Sequence, residues 1–91
     1  MTLLDASEGL EYIIKNIETD DEELNAFLFS LGCYSGEAIT VIAFRKGGCT
    51  VSIKDARYNI DNQLAEAITI WLQFLKPYFF DMQLATTNFI I

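Results

Sequence analysis

Two glycines that lie four residues apart constrain the fold of this chain more than any other feature. Gly32 ends a segment with the apolar spacing of a helix, and Gly36 precedes the strand-like run Ala38 to Phe44. Glycine adopts the left-handed backbone that ends a helix without the steric cost of a side chain. A second glycine before a strand allows a tight turn. The pattern therefore predicts a helix joined to a strand by a short, sharply turned connection.

The segment before Gly32 predicts an amphipathic helix from Thr19 to Leu31. Thr19 and Glu22 have the spacing of a capping box, in which each side chain satisfies a backbone amide at the start of the helix. The acidic run Asp20 to Glu23 lies at the positive end of the helix dipole. The residues expected on the buried stripe are Leu24, Phe27, Leu28 and Leu31.

The rest of the chain predicts short strands and turns. After a lead-in over residues 1–9, the apolar segments give five strands: Leu10 to Ile17, Ala38 to Phe44, Cys49 to Ile53, Arg57 to Ile60 and Ile68 to Trp71. The second and third strands form a hairpin, because the glycine-containing loop Arg45 to Gly48 separates them. A single helical turn capped by Asp61 is predicted over residues 61–67. The fold class is therefore mostly β.

Composition and charge exclude several classes of function. The 91 residues suffice for one small domain, and the net charge of −7 argues against nucleic acid as a partner. The chain has no histidine, which excludes Ser–His and Cys–His catalysis and histidine metal sites. Cys33 and Cys49 do not form a CxxC pair, and we expect them to be buried, reduced thiols in a cytoplasmic protein. The sequence therefore predicts no set of catalytic residues.

Taken together, the motifs resemble the family of ferrous iron transport protein A over residues 3–70. The resemblance is carried by Leu31-Gly32 with Gly36, by Ile39-Thr40-Val41, and by the closing segment Ile60 to Ile70 with its Ala67-Ile68-Thr69-Ile70 ending. Ser35 replaces the proline that is usual in that family. The resemblance implies a small SH3-like barrel of about five strands with one inserted α-helix. It also extends to the C-terminal SH3-like domain of metal-dependent repressors related to DtxR.

The resemblance implies a non-enzymatic accessory or regulatory protein of bacterial ferrous iron uptake, with no cofactor. Such a protein would dock on the cytosolic GTP-binding part of the ferrous iron permease. The residues expected to contact that partner are Asn25, Phe29, Tyr34, Ser35, Arg45, Lys46 and Gly47. One alternative is an SH3-like interaction module of metal-dependent transcription regulation. Another is a weak ferrous-iron-binding protein that uses Asp20 and Glu23, the only pair of the acidic run that can converge on a helix.

An apolar aromatic extension is predicted to follow the barrel, so that the domain covers residues 1–70 and the extension residues 71–91. It is rich in aromatic residues: Trp71, Phe74, Tyr78, Phe79, Phe80 and Phe89. Lys76, Pro77 and Asp81 interrupt it, so membrane insertion is not expected. Three interpretations remain open: the extension folds back over the barrel, it buries its aromatic rings in a homodimer or against another protein, or it rests on a membrane surface.

Overall fold

The computed structural model describes residues 1–72 of the chain. A short 3₁₀ turn, Leu3–Asp5, precedes the first strand, and five strands and two helices follow within the described residues. The strands are β1 (Glu11–Ile17), β2 (Ala38–Arg45), β3 (Gly48–Ile53), β4 (Ala56–Asp61) and β5 (Ile68–Leu72). The helices are α1 (Glu22–Ser30), between β1 and β2, and α2 (Asn62–Ala67), between β4 and β5.

The five strands form one antiparallel sheet in the order β4-β3-β2-β1-β5. The two edge strands, β4 and β5, are consecutive in sequence, and α2 connects them. This arrangement confirms the predicted mostly-β fold with one inserted helix. All five predicted strands agree with the observed bounds to within one residue at each end, and β4 extends one residue further at both ends than predicted.

Two register shifts bend the sheet. One lies in β1, between Ile14 and Asn16 where it pairs with β5, and the other lies in β2, between Val41 and Ala43. An extra residue in one strand of an antiparallel pair increases the local twist and curves the sheet. The concave side encloses the apolar core, whose most buried members include Leu3, Tyr12, Ile14, Leu28, Cys33, Ile39, Val41, Val51 and Ile68.

The lead-in is part of the fold, which the sequence did not predict. Leu3 is fully buried, and the Thr2 side chain caps the 3₁₀ turn while the Asp5 carboxylate accepts from the Thr2 amide. The hydroxyl of buried Tyr12 accepts a hydrogen bond of 2.9 Å from the Ser7 amide. These contacts attach the first residues to the sheet, and Ile70 donates its amide to the Met1 carbonyl.

The start of α1 differs from the prediction. The N-cap is Asp21, whose carboxylate accepts from the amides of Glu23 and Leu24, and the helix begins at Glu22. Thr19 instead accepts from the Asp21 amide, so the predicted capping box at Thr19 is wrong by two residues. The predicted burial of Phe27 is also wrong, since this residue is 51% exposed. Only one narrow line of α1 residues faces the core.

The turn between β2 and β3 is tighter than predicted. The β2–β3 connection is a two-residue turn, Lys46-Gly47, since Arg45 and Gly48 already pair as strand residues. A Cβ atom at Gly48 would collide with the main-chain carbonyl oxygen of Ile60 on β4. The close approach of β3 to β4 therefore requires glycine at this position.

The predicted turn after β4 is confirmed. Asp61 is the N-cap of α2, and its Oδ1 accepts a hydrogen bond of 2.8 Å from the Leu64 amide. Trp71 and Leu72, assigned to the predicted extension, belong to β5, and the Lys15 ammonium lies 5.3 Å from the Trp71 ring centroid. The remainder of the extension lies outside the described residues, so the domain division and a homodimer through residues 71–91 stay predictions.

Candidate partner-binding surface

The end of α1 is built by the two-glycine motif. The amide of Gly32 donates to the Phe29 carbonyl and that of Cys33 donates to the Leu28 carbonyl, which is the bond pattern of a Schellman cap. Gly32 has φ +89°, the left-handed conformation that this cap requires. Because the chain reverses here, Cys33 enters the core and Tyr34 returns toward the outer side of α1.

An aromatic–ionic cluster forms at this reversal and consists of Phe29, Tyr34, Glu37 and Lys54. The Phe29 and Tyr34 ring centroids lie 4.9 Å apart with the planes inclined by 34°. The Lys54 ammonium lies 5.4 Å from the Tyr34 centroid and 2.9 Å from Glu37 Oε1. The hydrogen bond to the Glu37 carboxylate, followed by the contact with Tyr34, raises the pKa of Lys54, so this cation stays charged.

Lys54 and Glu37 were not among the predicted site residues. Lys54 belongs to the β3–β4 turn and has φ +49°, a conformation uncommon for a residue with a side chain. Its side-chain methylenes pass so close to Gly32 that a Cβ atom there would lie 2.9 Å from Lys54 Cδ. Gly32 thus both ends the helix and leaves room for the lysine, and only the tertiary contact between two distant turns reveals this second role.

The predicted helix residues share a surface with this cluster. Asn25 and Phe29 line a shallow depression of about 310 Å³ together with Glu22 and Ala26. Phe29 is 64% exposed, the largest exposed fraction among the big apolar side chains of residues 1–72. Ser35 is exposed beside the half-buried Tyr34. The structure therefore brings four predicted contact residues, Asn25, Phe29, Tyr34 and Ser35, to one part of the molecule.

The predicted hairpin residues form a second surface. Arg45, Lys46 and Gly47 border a depression of about 350 Å³ that β4 closes with Asn59 and Asp61. Arg45 Nε donates to Thr50 Oγ1 at 2.9 Å, and that hydroxyl donates to Asn59 Oδ1 at 2.6 Å. The guanidinium is therefore held over the hairpin, whereas Lys46 is exposed at the turn. The Gly47 carbonyl accepts the Asn62 amide at 3.0 Å, which fixes the turn against α2.

Within residues 1–72, no hydrogen bond, ion pair or ring contact joins the hairpin surface to the aromatic–ionic cluster. The seven predicted contact residues thus fall into two groups. The first is an aromatic surface at the end of α1, and the second is a polar, partly cationic depression at the β2–β3 turn. Each offers a different chemistry to a partner.

Other chemistry is sparse in the described part of the chain. Cys33 and Cys49 are free and buried, and desolvation raises the pKa of Cys33 to about 12 and also raises the pKa of Cys49. Burial therefore disfavours, at both positions, the thiolate that a nucleophile or metal ligand needs. No group of three or more Cys, Asp or Glu side chains in residues 1–72 is arranged to hold a metal ion. None of the helices described there has the length and apolarity to cross a membrane.

The family model of the FeoA domain matches residues 1–71, which is most of the chain. The chain belongs to the FeoA family. Among solved structures, the crystal structure of an iron uptake regulatory protein, FeoA, is 24% identical with a TM-score of 0.69, over 78% of this chain and 93% of that chain. The FeoA of Stenotrophomonas maltophilia, solved with zinc and described as a prokaryotic SH3 domain protein, is 16% identical with a TM-score of 0.69, over 78% and 89%. No curated protein sequence matches the chain.

The same fold occurs outside the FeoA proteins. A manganese-dependent transcriptional repressor bound to manganese is 22% identical with a TM-score of 0.72, and the similarity covers 78% of this chain but 35% of the repressor. At these identities the likeness establishes the fold alone. It confirms the predicted SH3-like architecture and the predicted resemblance to both the FeoA proteins and a domain of the repressors.

Proposed function

We propose that this protein is a non-enzymatic accessory protein of ferrous iron uptake that works in the cytoplasm by docking on the cytosolic GTP-binding part of a ferrous iron permease. The observation that carries the proposal is the match of the FeoA domain to residues 1–71. The similarity to an iron uptake regulatory protein, which covers nearly all of that chain, supports the same role.

The aromatic surface at the end of α1 supports docking as the mode of action. Phe29 exposes most of its side chain and presents an apolar ring to solvent beside Tyr34. Its ring is nevertheless held in place by Tyr34, and Tyr34 is held by Lys54. A large apolar side chain that is exposed and already ordered loses little conformational entropy when a partner covers it.

A binding experiment tests this role with a control that the helix itself supplies. Phe29→Ser removes the ring that contacts Tyr34, and Phe27→Ser removes a second exposed phenylalanine of the same helix. We expect saturable binding of the protein to the isolated cytosolic domain of the permease in at least one of its GTP-bound or nucleotide-free states. Phe29→Ser should weaken binding by about tenfold or more, and Phe27→Ser by about twofold at most.

A folded protein that binds the permease domain in neither nucleotide state contradicts the proposal. Circular dichroism of each variant establishes that it is folded. Equal weakening by the two phenylalanine variants would retain the docking role but remove the aromatic–ionic cluster from the interface.

The second candidate is an SH3-like protein-interaction module of metal-dependent transcription regulation. The observation that favours it is the TM-score of 0.72 to the manganese-dependent repressor. In this case the protein would bind a helix-turn-helix regulator rather than the permease domain. The corresponding titration against that regulator, with and without Mn²⁺, distinguishes the two candidates.

Direct binding of ferrous iron is the weakest candidate. Asp21 already uses its carboxylate to cap α1, and Asp20 lies before this N-cap, so the helical spacing predicted for Asp20 and Glu23 is absent. Anaerobic calorimetry with Fe²⁺ tests this site. An Fe²⁺ affinity that Asp20→Asn lowers would support it, and the absence of heat would exclude it.

A further inference from the structure

The β4 strand leaves one of its edges unpaired in the described structure. β4 is at the end of the sheet order, and along its whole length it pairs with β3 alone. Such an edge exposes a row of amide and carbonyl groups that a further strand can bind. The opposite edge strand, β5, is partly covered, because Thr2 bridges to Thr69 and Ile70 donates to the Met1 carbonyl.

The turn before β4 determines which main-chain groups point outward. Lys54 and Asp55 both have positive φ, +49° and +68°, which is the conformation of a type I′ two-residue turn. Such a turn is closed by a pair that exchanges both hydrogen bonds, here Ile53 and Ala56. Because the pattern alternates, Tyr58 and Ile60 also direct their main-chain groups to β3. The groups of Arg57, Asn59 and Asp61 are directed away from it.

A side-chain contact supports this assignment. Residues of a non-hydrogen-bonded pair have the closer side chains. Thr50 and Asn59 form such a pair in this register, and Thr50 Oγ1 donates to Asn59 Oδ1 at 2.6 Å. The three residues with outward main-chain groups, Arg57, Asn59 and Asp61, are also all exposed, as expected of alternate residues on one face.

The charges on this edge are complementary to themselves. In an antiparallel pair of two β4 strands centred on Asn59, the Arg57 of each strand lies opposite the Asp61 of the other. The positive and negative residues are each two positions from the centre, so the two-fold symmetry pairs unlike charges twice. Opposite charges across neighbouring strands favour pairing, and like charges oppose it.

We propose that the protein forms a two-fold symmetric dimer in which the β4 edges of two copies pair antiparallel about Asn59. The two Asn59 residues exchange their main-chain hydrogen bonds at the centre. On each side, the Asp61 amide donates to the Arg57 carbonyl of the other copy. The sheet of each copy then continues into the other.

Asp61 can serve this pairing without losing its role in α2. Its main-chain carbonyl is used by the first turn of α2, and its Oδ1 accepts the Leu64 amide. In this register its amide is directed away from β3, and its second carboxylate oxygen makes no hydrogen bond within residues 1–72. These two groups are the ones that the Arg57 carbonyl and guanidinium of the other copy would meet.

Amide hydrogen exchange of the full-length protein, measured by NMR over about a hundredfold range of concentration, tests the proposal. The amides of Asn59 and Asp61 should be protected at high concentration and exchange readily at low concentration. The neighbouring amides of Tyr58 and Ile60 are an internal control, because their bonds to β3 protect them at both concentrations. Protection of Asn59 and Asp61 in a concentration-independent monomer would mean that residues 73–91 or another part of the same chain covers the edge, and would overturn the proposal.

Sedimentation equilibrium with two variants tests the register. Arg57→Asp places like charges opposite each other at both symmetric contacts and should raise the dimer dissociation constant by about tenfold. Lys15→Asp makes the same charge change on β1, which two strands separate from β4, and should leave the constant within about twofold. Equal effects of the two variants would reveal a general charge effect and contradict the register.

A third variant keeps the test independent of charge. Asn59→Pro removes the outward amide at the centre of the pair, which does not serve β3. It also removes the Oδ1 that accepts from Thr50, so Asn59→Ala, which loses that hydrogen bond but keeps the amide, is its control. We expect Asn59→Pro to abolish the dimer while the Tyr58 and Ile60 amides stay protected.

A monomeric wild-type protein, or a dimer that survives Arg57→Asp and Asn59→Pro, would overturn the proposal. None of these measurements contains the permease, so their outcome does not depend on the proposed docking role.

Discussion

At the scale of single residues, Cys33 combines a packing role with a pH-dependent contribution to stability. Its thiol is 1% exposed, and desolvation raises its pKa from 9.0 to about 12. Between these two values the thiol ionises in the unfolded chain but stays protonated in the folded protein. The unfolded state therefore releases the proton first, so the stability that this thiol contributes is complete below pH 9 and falls as the pH rises.

The Cys33→Ala variant should isolate this contribution. It loses packing at every pH, with a cost of about 1 to 2 kcal/mol for a small buried side chain. However, it lacks the ionisable thiol, so the wild-type protein should lose its advantage by about 1.4 kcal/mol for each pH unit above 9. Urea unfolding of both proteins, near pH 8 and near pH 10, measures the change. A difference between the proteins that is the same at both pH values would contradict the burial of Cys33 as the cause.

At the scale of elements, the sequence predicts the strands better than the helix. Alternating apolar residues and a glycine-containing turn suffice to locate β2 and β3, since both features act within a few residues. The buried line of α1 is harder to predict. With 3.6 residues per turn, Leu24, Leu28 and Leu31 lie along one line, and Phe27 lies about 65° to its side. The core covers only that line, so Phe27 remains exposed.

The first turn of α1 gives the sharpest test of how the helix begins. Thr19 and Asp21 are both good capping residues in the sequence, but only Asp21 accepts amides of the first helical turn. Asp21→Ala should therefore lower the free energy of unfolding by about 1 kcal/mol, and Thr19→Ala by about half as much or less. Urea unfolding at neutral pH compares them. A larger cost at Thr19 would favour the capping box that the sequence suggests.

At the scale of the whole molecule, the sequence could predict several residues of the candidate site but not how the fold arranges them. Asn25 and Phe29 follow from expected exposure on a helix, and the structure places them in one depression. Lys54 and Glu37 could not be found in this way, because their contact requires the β3–β4 turn to lie beside the end of α1. The separation of the hairpin surface from the aromatic–ionic cluster is likewise a property of the folded sheet.

This separation leads to a prediction about docking. Lys46→Glu is the cleaner variant of the hairpin, because Arg45 is held by Thr50 and its substitution would also remove that hydrogen bond. Under the proposed docking role, Lys46→Glu and Phe29→Ser should each weaken permease binding. Since the described structure joins the two surfaces by no direct contact, the two losses of binding free energy should add to within about 0.5 kcal/mol in the double variant.

The double-variant cycle is measured with the isolated permease domain, and Phe27→Ser combined with Lys46→Glu is the control, because Phe27 makes no ring contact with Tyr34. Additive losses would mean that the permease contacts both surfaces as independent parts of one interface. A loss in the double variant that is much smaller than the sum would mean that the two side chains act through a shared element. In that case binding would have to move the α1 end and the β2–β3 turn together, and the sheet between them would not act as a rigid frame.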